Sequence, residues 1–412
     1  MELKPGYKQT EVGVIPEEWQ VSRLGDLAEF ITSGSRGWAR YYSDSGSLFI
    51  RSQNVREGML DFSDKQHVRP PSGAEGERTG ARIGDVLITI TGNSVGNVAY
   101  LNQDFGSAYV SQHVGLARLK DPRLADYICR YLTPCAPGNP QIEISQSGQS
   151  KPGLNLQNLK DFRLAIPTSS VERDAISKAL SDIDSAIEQL CKLIAKKRAI
   201  KQAAMQELLT GKRRLPGFEG EWEVRKLGDY IEKIVGGGTP SRANPGFWGG
   251  EIPWATVKDL TSFQPNQTQE WLTRDGLKNS SANLIPAGTL IVSTRMALGK
   301  AVIFETDVAI NQDLKAIFFG KNGMARFFCY WFEANASAID SIGGGSTVKG
   351  ISLSQLKALD VASPDLAEQN AIVDVISDVE TEIESLENRL TKTRAIKQAM
   401  MQELLTGRIR LR

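Results

Sequence analysis

Two long stretches of the chain place apolar residues at alternating spacings of four and three. The first carries Ile176, Leu180, Ile183, Ile187, Leu190 and Ile194, and the second Ile372, Ile376, Val379, Ile383, Leu386 and Leu390. This is the a/d seam of a coiled coil. Neither Pro nor Gly interrupts residues 172–210 or 368–406, and Gly211 and Gly407 stand where a helix stop belongs. Thirty-odd helical residues at 1.5 Å each make a rod of roughly 55 Å. A lone helix with such a seam would expose an apolar stripe, so the two are expected to pack on each other. The short linker 212–222 favours an antiparallel pair. An ordinary core helix in each domain is the blander reading.

Elsewhere the pattern changes. Residues 21–165 and 224–362 show short β-type segments between turns rich in Gly, Ser, Asn and Asp. In the first body these are 48–51, 86–91, 98–101 and 114–119; in the second, 289–294, 301–304 and 315–319. Each body then carries a short amphipathic aromatic helix, 125–132 and 325–332. The expected fold class is α+β, with two globular domains related by a pseudo-two-fold repeat and separated by two long helices.

The repeat is explicit in the tails. Residues 196–211, KKRAIKQAAMQELLTG, return as 392–407, KTRAIKQAMMQELLTG, differing only at Lys197/Thr393 and Ala204/Met400. Upstream, Glu172, Ala175, Ile176, Ser181 and Asp182 align with Glu368, Ala371, Ile372, Ser377 and Asp378. The bodies match more loosely. Trp19 with Leu24-Gly25-Asp26 corresponds to Trp222 with Leu227-Gly228-Asp229, Gly96 to Gly299, Gln112 to Gln312 and Cys129 to Cys329. GLNLQNLK from Gly153 corresponds to GISLSQLK from Gly350. Variable bodies on near-invariant tails suggest two different ligands presented on one frame. The late helix is basic in both copies, with Lys196, Lys197, Arg198 and Lys201 opposite Lys392, Arg394 and Lys397. Together with the shared Met and Leu residues this suits docking of partner proteins.

Composition narrows the class. The 412 residues suffice for two ordinary cores, and no apolar run reaches the length of a membrane span. The first residues lack a signal-peptide core. Four cysteines without C-x-x-C spacing and two histidines, His67 and His113, argue against structural zinc and for reduced thiols in a cytoplasm. A net charge of +1 means that any grip on phosphates must be local or shared with partners.

The loops supply groups that could contact DNA. The first body has Arg36, Arg40 and Tyr41, then Arg51 and Asn54, then Thr91, Asn93 and Ser94, then Gln112, His113 and Lys151. The second has Thr239, Ser241, Arg242, Trp254, Lys258, Thr294, Arg295, Lys300, Gln312, Thr347 and Lys349. Arg and Lys read guanine and Asn and Gln read adenine through paired hydrogen bonds in the major groove, while Ser and Thr hold phosphates. The weight lies in the set rather than in any member. No phosphate-binding G-x4-G-K-S/T loop, dinucleotide fingerprint or Asn/Asp-Pro-Pro-aromatic motif occurs, so no catalytic residue and no metal ligand is assigned. Asp313-Leu314-Lys315 is the best nuclease-like scrap, and its counterpart His113-Val114-Gly115 lacks both charges.

The duplicated LLTG tail, with LLTGKRRLPGFEGEWEVRKLGD joining the halves, resembles the specificity subunit of Type I restriction-modification enzymes. The resemblance runs from about Trp19 to Arg412. It implies a first target recognition domain at 1–166, a central long helix at 167–211, a linker at 212–223, a second recognition domain at 224–363 and a C-terminal helix at 364–412. It further implies that each domain reads half of a bipartite, asymmetric target in double-stranded DNA while the coiled coil sets the spacer. Two adenine-methyltransferase subunits would dock on the helices and restriction subunits would join them, with no membrane involved. Methyl transfer and cleavage would belong to those partners, S-adenosylmethionine would bind there and not in this chain, and the location would be cytoplasmic. The stretch 133–153 departs in length from its counterpart. Two rivals remain at this point. One is a coiled-coil scaffold presenting two protein- or glycan-binding domains; the other is a stand-alone nuclease using Asp313 and Lys315.

Overall fold

The computed structural model describes residues 3–70, 73–146, 153–344 and 349–412. The chain forms two units, Met1–Cys191 with Asn388–Arg412, and Lys192–Glu387.

In the first unit a four-stranded antiparallel sheet runs in the order Val98–Tyr100, Val86–Thr89, Val114–Leu119 and Ala28–Ser33. Val86–Thr89 is buried at every position, because both faces of the sheet are covered. Side chains alternate between two cores, as the period of a strand demands. Val86, Ile88 and Ala117 face the helix Ala125–Leu132, and Leu87, Val114 and Leu116 face a second sheet. In that second sheet Ser47–Ile50 runs parallel to Ala108–Val110.

The second unit repeats this plan. Its sheet runs Ala301–Ile303, Leu290–Ser293, Leu314–Phe319 and Ile231–Gly236. Leu290 and Val292 face the helix Ala325–Ala334, while Ile291 faces the opposite core. A parallel pair recurs between Trp248–Ala255 and Val308–Ile310. Even the thiols correspond: buried Cys129 Sγ lies 3.6 Å from the Val98 carbonyl, and half-buried Cys329 Sγ 3.6 Å from that of Ala301. Within 133–153, Pro140–Gln146 is helical with Ile142 buried, matching Ala336–Ile342 with Ile339 buried. The longer stretch therefore keeps its counterpart's helix.

The long helices span Ser170–Leu208 and Leu366–Leu404, 39 residues each, and pair antiparallel. In the first unit, Ile176 and Leu180 share one core with Met401, Leu404 and Leu405 from the end of the second helix. In the second unit, Ile372 and Ile376 share a core with Met205, Leu208 and Leu209 from the end of the first. Each body is thus completed by the tail of the other repeat. No seam position is exposed.

This arrangement gives the tails an internal role as well. Their shared Met and Leu residues are core, and most of their cations pair within the chain. Lys397 reaches Asp184 at 2.6 Å, Lys201 reaches Glu380 at 2.9 Å, Arg198 reaches Glu387 at 2.5 Å, and Lys197 pairs with Glu382. The near-identity of the tails therefore has an internal cause, since both must fit equivalent slots.

A buried clasp closes each slot. Trp222 Nε1 donates to Glu368 at 3.1 Å, and Arg214 donates twice to the same carboxylate at 2.6 Å. In the first unit Trp19 Nε1 donates to Glu172 at 3.2 Å, and Arg410 Nη2 donates to it at 2.7 Å. Gly211 and Gly407 adopt φ of +69° and +71°. A Cβ there would lie 3.2 Å from the Trp222 ring and 2.5 Å from Pro16, respectively, so both left-handed geometry and close approach favour Gly.

Candidate nucleic-acid interface

Part of the candidate set lies at the rim of each body, where two loops cross at close range. In the first body the backbone at Gly34 passes so near Val110 that a Cβ would sit 2.1 Å from its carbonyl oxygen. In the second, a Cβ on Gly237 would sit 1.8 Å from the Ile310 oxygen. The crossing sets the loop after strand Ala28–Ser33 beside the 111–113 turn, and the loop after Ile231–Gly236 beside the 311–313 turn.

In the first body Thr91, Gln112 and His113 come together. Thr91 Oγ1 lies 2.5 Å from His113 Nδ1, and Gln112 Nε2 lies 3.0 Å from His113 Nε2. Gln112 Oε1 is buried with no partner among the described residues. Arg36, Arg40 and Asn93 are exposed and Ser94 is half-buried. Arg40 lies 4.9 Å over the half-buried Tyr41 ring, and the neighbouring Trp38 anchors the loop by stacking on Phe49.

In the second body Thr239 Oγ1 donates to Gln312 Oε1 at 2.7 Å, and Gln312 Nε2 lies 3.4 Å from Asp313. Arg295 Nη1 stands 3.9 Å from Asp313 and is two-thirds exposed. Arg242 lies 3.7 Å over Trp248 and bonds Glu270 at 2.8 Å, holding that carboxyl below its ordinary value. A cleft of about 490 Å³ collects Arg242, Lys258, Met296 and Asn311. Ser241, Lys300 and Lys349 are exposed, Lys349 paired with Asp340 at 2.6 Å.

Other expected contacts sit elsewhere. Asn54 is 2% exposed and uses Oδ1 on the Arg51 amide and Nδ2 on two carbonyls, so it shapes its own loop. Arg51 is tied to Asp64 at 3.1 Å. Trp254 is core, with Nε1 donating to the Gly238 carbonyl at 3.1 Å. Thr294 is buried and bonds the Asp313 carbonyl at 3.0 Å, which joins the two loops beneath Arg295. Lys151 and Thr347 lie outside the described residues.

The nuclease-like Asp313 and Lys315 are also committed locally. Lys315 Nζ donates to the Gln312 carbonyl at 2.6 Å, and burial holds its pKa below the ordinary value. Among the described residues no group of three or more His, Cys, Asp or Glu side chains could hold a metal ion, and no helix is long and apolar enough to cross a membrane. Sequence reasoning missed Arg78, which bonds the Ser33 carbonyl at 2.7 Å and Ser35 at 2.5 Å, and Met296. Nothing in the local pattern marks Arg78; Met296 is legible only from its backbone.

Comparison with known proteins agrees with the duplication. The family model described as "Type I restriction modification DNA specificity domain" matches twice, at residues 16–196 and 219–393. A Methanocaldococcus jannaschii protein described as a type I restriction enzyme MjaX specificity subunit is 24% identical over 422 residues, covering 98% of this chain and 97% of that one. The EcoR124I/EcoR124II specificity subunit of Escherichia coli is 28% identical over 187 residues, covering 44% of this chain and 46% of its own length. The crystal structure of the Type I restriction-modification S subunit from M. genitalium shares the fold, with a TM-score of 0.59 at 14% identity and 98% of each chain covered.

Proposed function

The chain belongs to the Type I restriction-modification DNA specificity family, and on that footing we propose that each body reads one half of a split, asymmetric duplex sequence. The supporting observation is the contrast between frame and loops. Where the first body sets Thr91, Gln112 and His113 together, the second sets Arg295, Gln312 and Asp313. One frame carrying two chemistries suits two unlike half-sites. Arg36, Arg40, Asn93 and Gln112 are the base-reading candidates of the first body, and Arg242, Lys258, Arg295 and Gln312 those of the second. Ser94, Thr239, Ser241, Lys300 and Lys349 suit phosphates.

The paired helices set the number of unread base pairs between the half-sites and hold the methyltransferase subunits. Methyl transfer to adenine, and the S-adenosylmethionine it consumes, belong to those subunits, and cleavage to restriction subunits that join them in the cytoplasm. A chain of net charge +1 fits such shared contact with the phosphates.

Mapping methylated adenines in the host genome tests this reading, because the motif gives both half-sites and the gap. Exchanging residues 21–165 for another body should change one half-site only, and removing one heptad from both helices should change only the gap. Alteration of both half-sites by the body exchange would refute the assignment. Arg295→Ala should cost about 1–3 kcal/mol at one base pair; an equal loss on every sequence would make Arg295 a phosphate contact.

A further inference from the structure

Met296 stands out among the residues of the second body's rim. It is 64% exposed, and its φ of +68° is a left-handed conformation that side-chain-bearing residues rarely adopt. The equivalent position in the first body is Gly92, at φ +103°. The equivalence follows from the backbone: Thr91 bridges Gly153 just as Arg295 bridges Gly350, and each is followed by the left-handed residue. The first body therefore makes this turn without strain and without a side chain. The second keeps a large apolar side chain where glycine would serve the fold better, and such strain persists where surroundings over-determine it and function uses it.

The surroundings do over-determine it. Met296 N donates to the Lys349 carbonyl at 3.0 Å, Ser293 Oγ donates to the Arg295 carbonyl at 2.5 Å, and Thr294 N donates to the Asp313 carbonyl at 2.9 Å. The side chain is carried on a pinned loop beside exposed Arg295, at the edge of the cleft with Lys258 and Asn311. A large exposed apolar side chain beside hydrogen-bonding groups, at a cleft that Val257 and Ala297 also line, matches one feature of the major groove. Only thymine presents a methyl group there, and it is read by apolar contact while neighbouring groups pair with base edges.

We propose that Met296 reads a thymine 5-methyl group in the half-site contacted by the second body. The proposal rests on the DNA-reading role given above. The test uses the full chain assembled with its methyltransferase subunits, on duplexes in which each thymine of that half-site is replaced in turn by uracil, which lacks only the methyl group. One replacement should weaken wild-type binding about 3- to 10-fold. Met296→Gly suits the backbone, so it should fold normally, bind the thymine and uracil duplexes equally, and keep the rest of the motif. Met296→Leu should retain the preference and Met296→Gln should lose it. A Met296→Gly protein with the wild-type preference at every thymine overturns the proposal, as does a wild type with no preference anywhere. Equal loss on both duplexes also overturns it and makes the side chain a wedge between bases. If the wild-type assembly discriminates no sequence at all, the underlying reading fails and this assignment with it; retained discrimination with any of the other negative results removes Met296 alone.

Discussion

Leu405 belongs by sequence to the second repeat but lies, fully buried, in the core of the first body with Trp19, Ile176 and Leu180. Leu209, 3% exposed, sits equivalently in the second body with Ile372 and Ile376. Replacing either by Ala removes most of a buried side chain and leaves a cavity, which costs about 2–5 kcal/mol in a close-packed core. At about 1.4 kcal/mol per factor of ten, that shifts the local opening equilibrium roughly 30- to several-thousand-fold. Hydrogen exchange followed by mass spectrometry localises the effect. Leu405→Ala should accelerate exchange in Ala125–Leu132 and Arg163–Ile166 while sparing Ala325–Ala334; Leu209→Ala should do the reverse. If each substitution instead loosened the body of its own repeat, the exchanged-tail arrangement would be wrong.

Asp85→Asn should selectively destabilise the first body, because Arg118, itself 11% exposed, donates at 3.0 and 2.7 Å to the two oxygens of that carboxylate; about 3–5 kcal/mol is expected, read as a lowered midpoint in urea. Gly34→Ala and Gly237→Ala should each disrupt one rim, since the added methyl overlaps a main-chain oxygen, and mapping of methylated sites should show one half-site relaxed or lost. Exposed Cys135 and Cys191 should react with a thiol reagent at pH 8, whereas Cys129, buried and pushed up to about 12, should react only after denaturation; rapid labelling of Cys129 in the native protein would contradict its placement.

The parts of the fold legible in the sequence were those with local periodic signals. The seam from Ile176 to Ile194 announces a helix by spacing alone, and Val86–Thr89 and Val114–Leu119 announce strands as short β-type segments between turns. Two-residue strands such as Tyr42–Ser43 and Gly80–Ala81 are too short to carry a period. The basic run at Lys197, Arg198 and Lys201 reads as surface because its acidic partners, Glu380, Glu382 and Glu387, lie far along the chain. At the rim, residue type suggested Trp254, Thr294 and Asn54 as readers. Their burial is decided by loop crossings at Gly34 and Gly237 and by local capping, which no single position reveals. Met296 escaped for the converse reason: an apolar residue in a loop looks unremarkable until its φ is known.

The exchange of tails also bears on biosynthesis. Strand Arg163–Ile166 leaves the ribosome more than two hundred residues ahead of Met401, Leu404 and Leu405, which seal the core beneath it. At about 5–20 residues per second, that leaves an unsealed apolar slot for roughly 12–48 s, whereas the second body receives Met205, Leu208 and Leu209 before its own strands emerge. Nascent chains should therefore engage chaperones through their amino-terminal half, and a released chain truncated just before residue 400 should have a protease-sensitive first body and a resistant second.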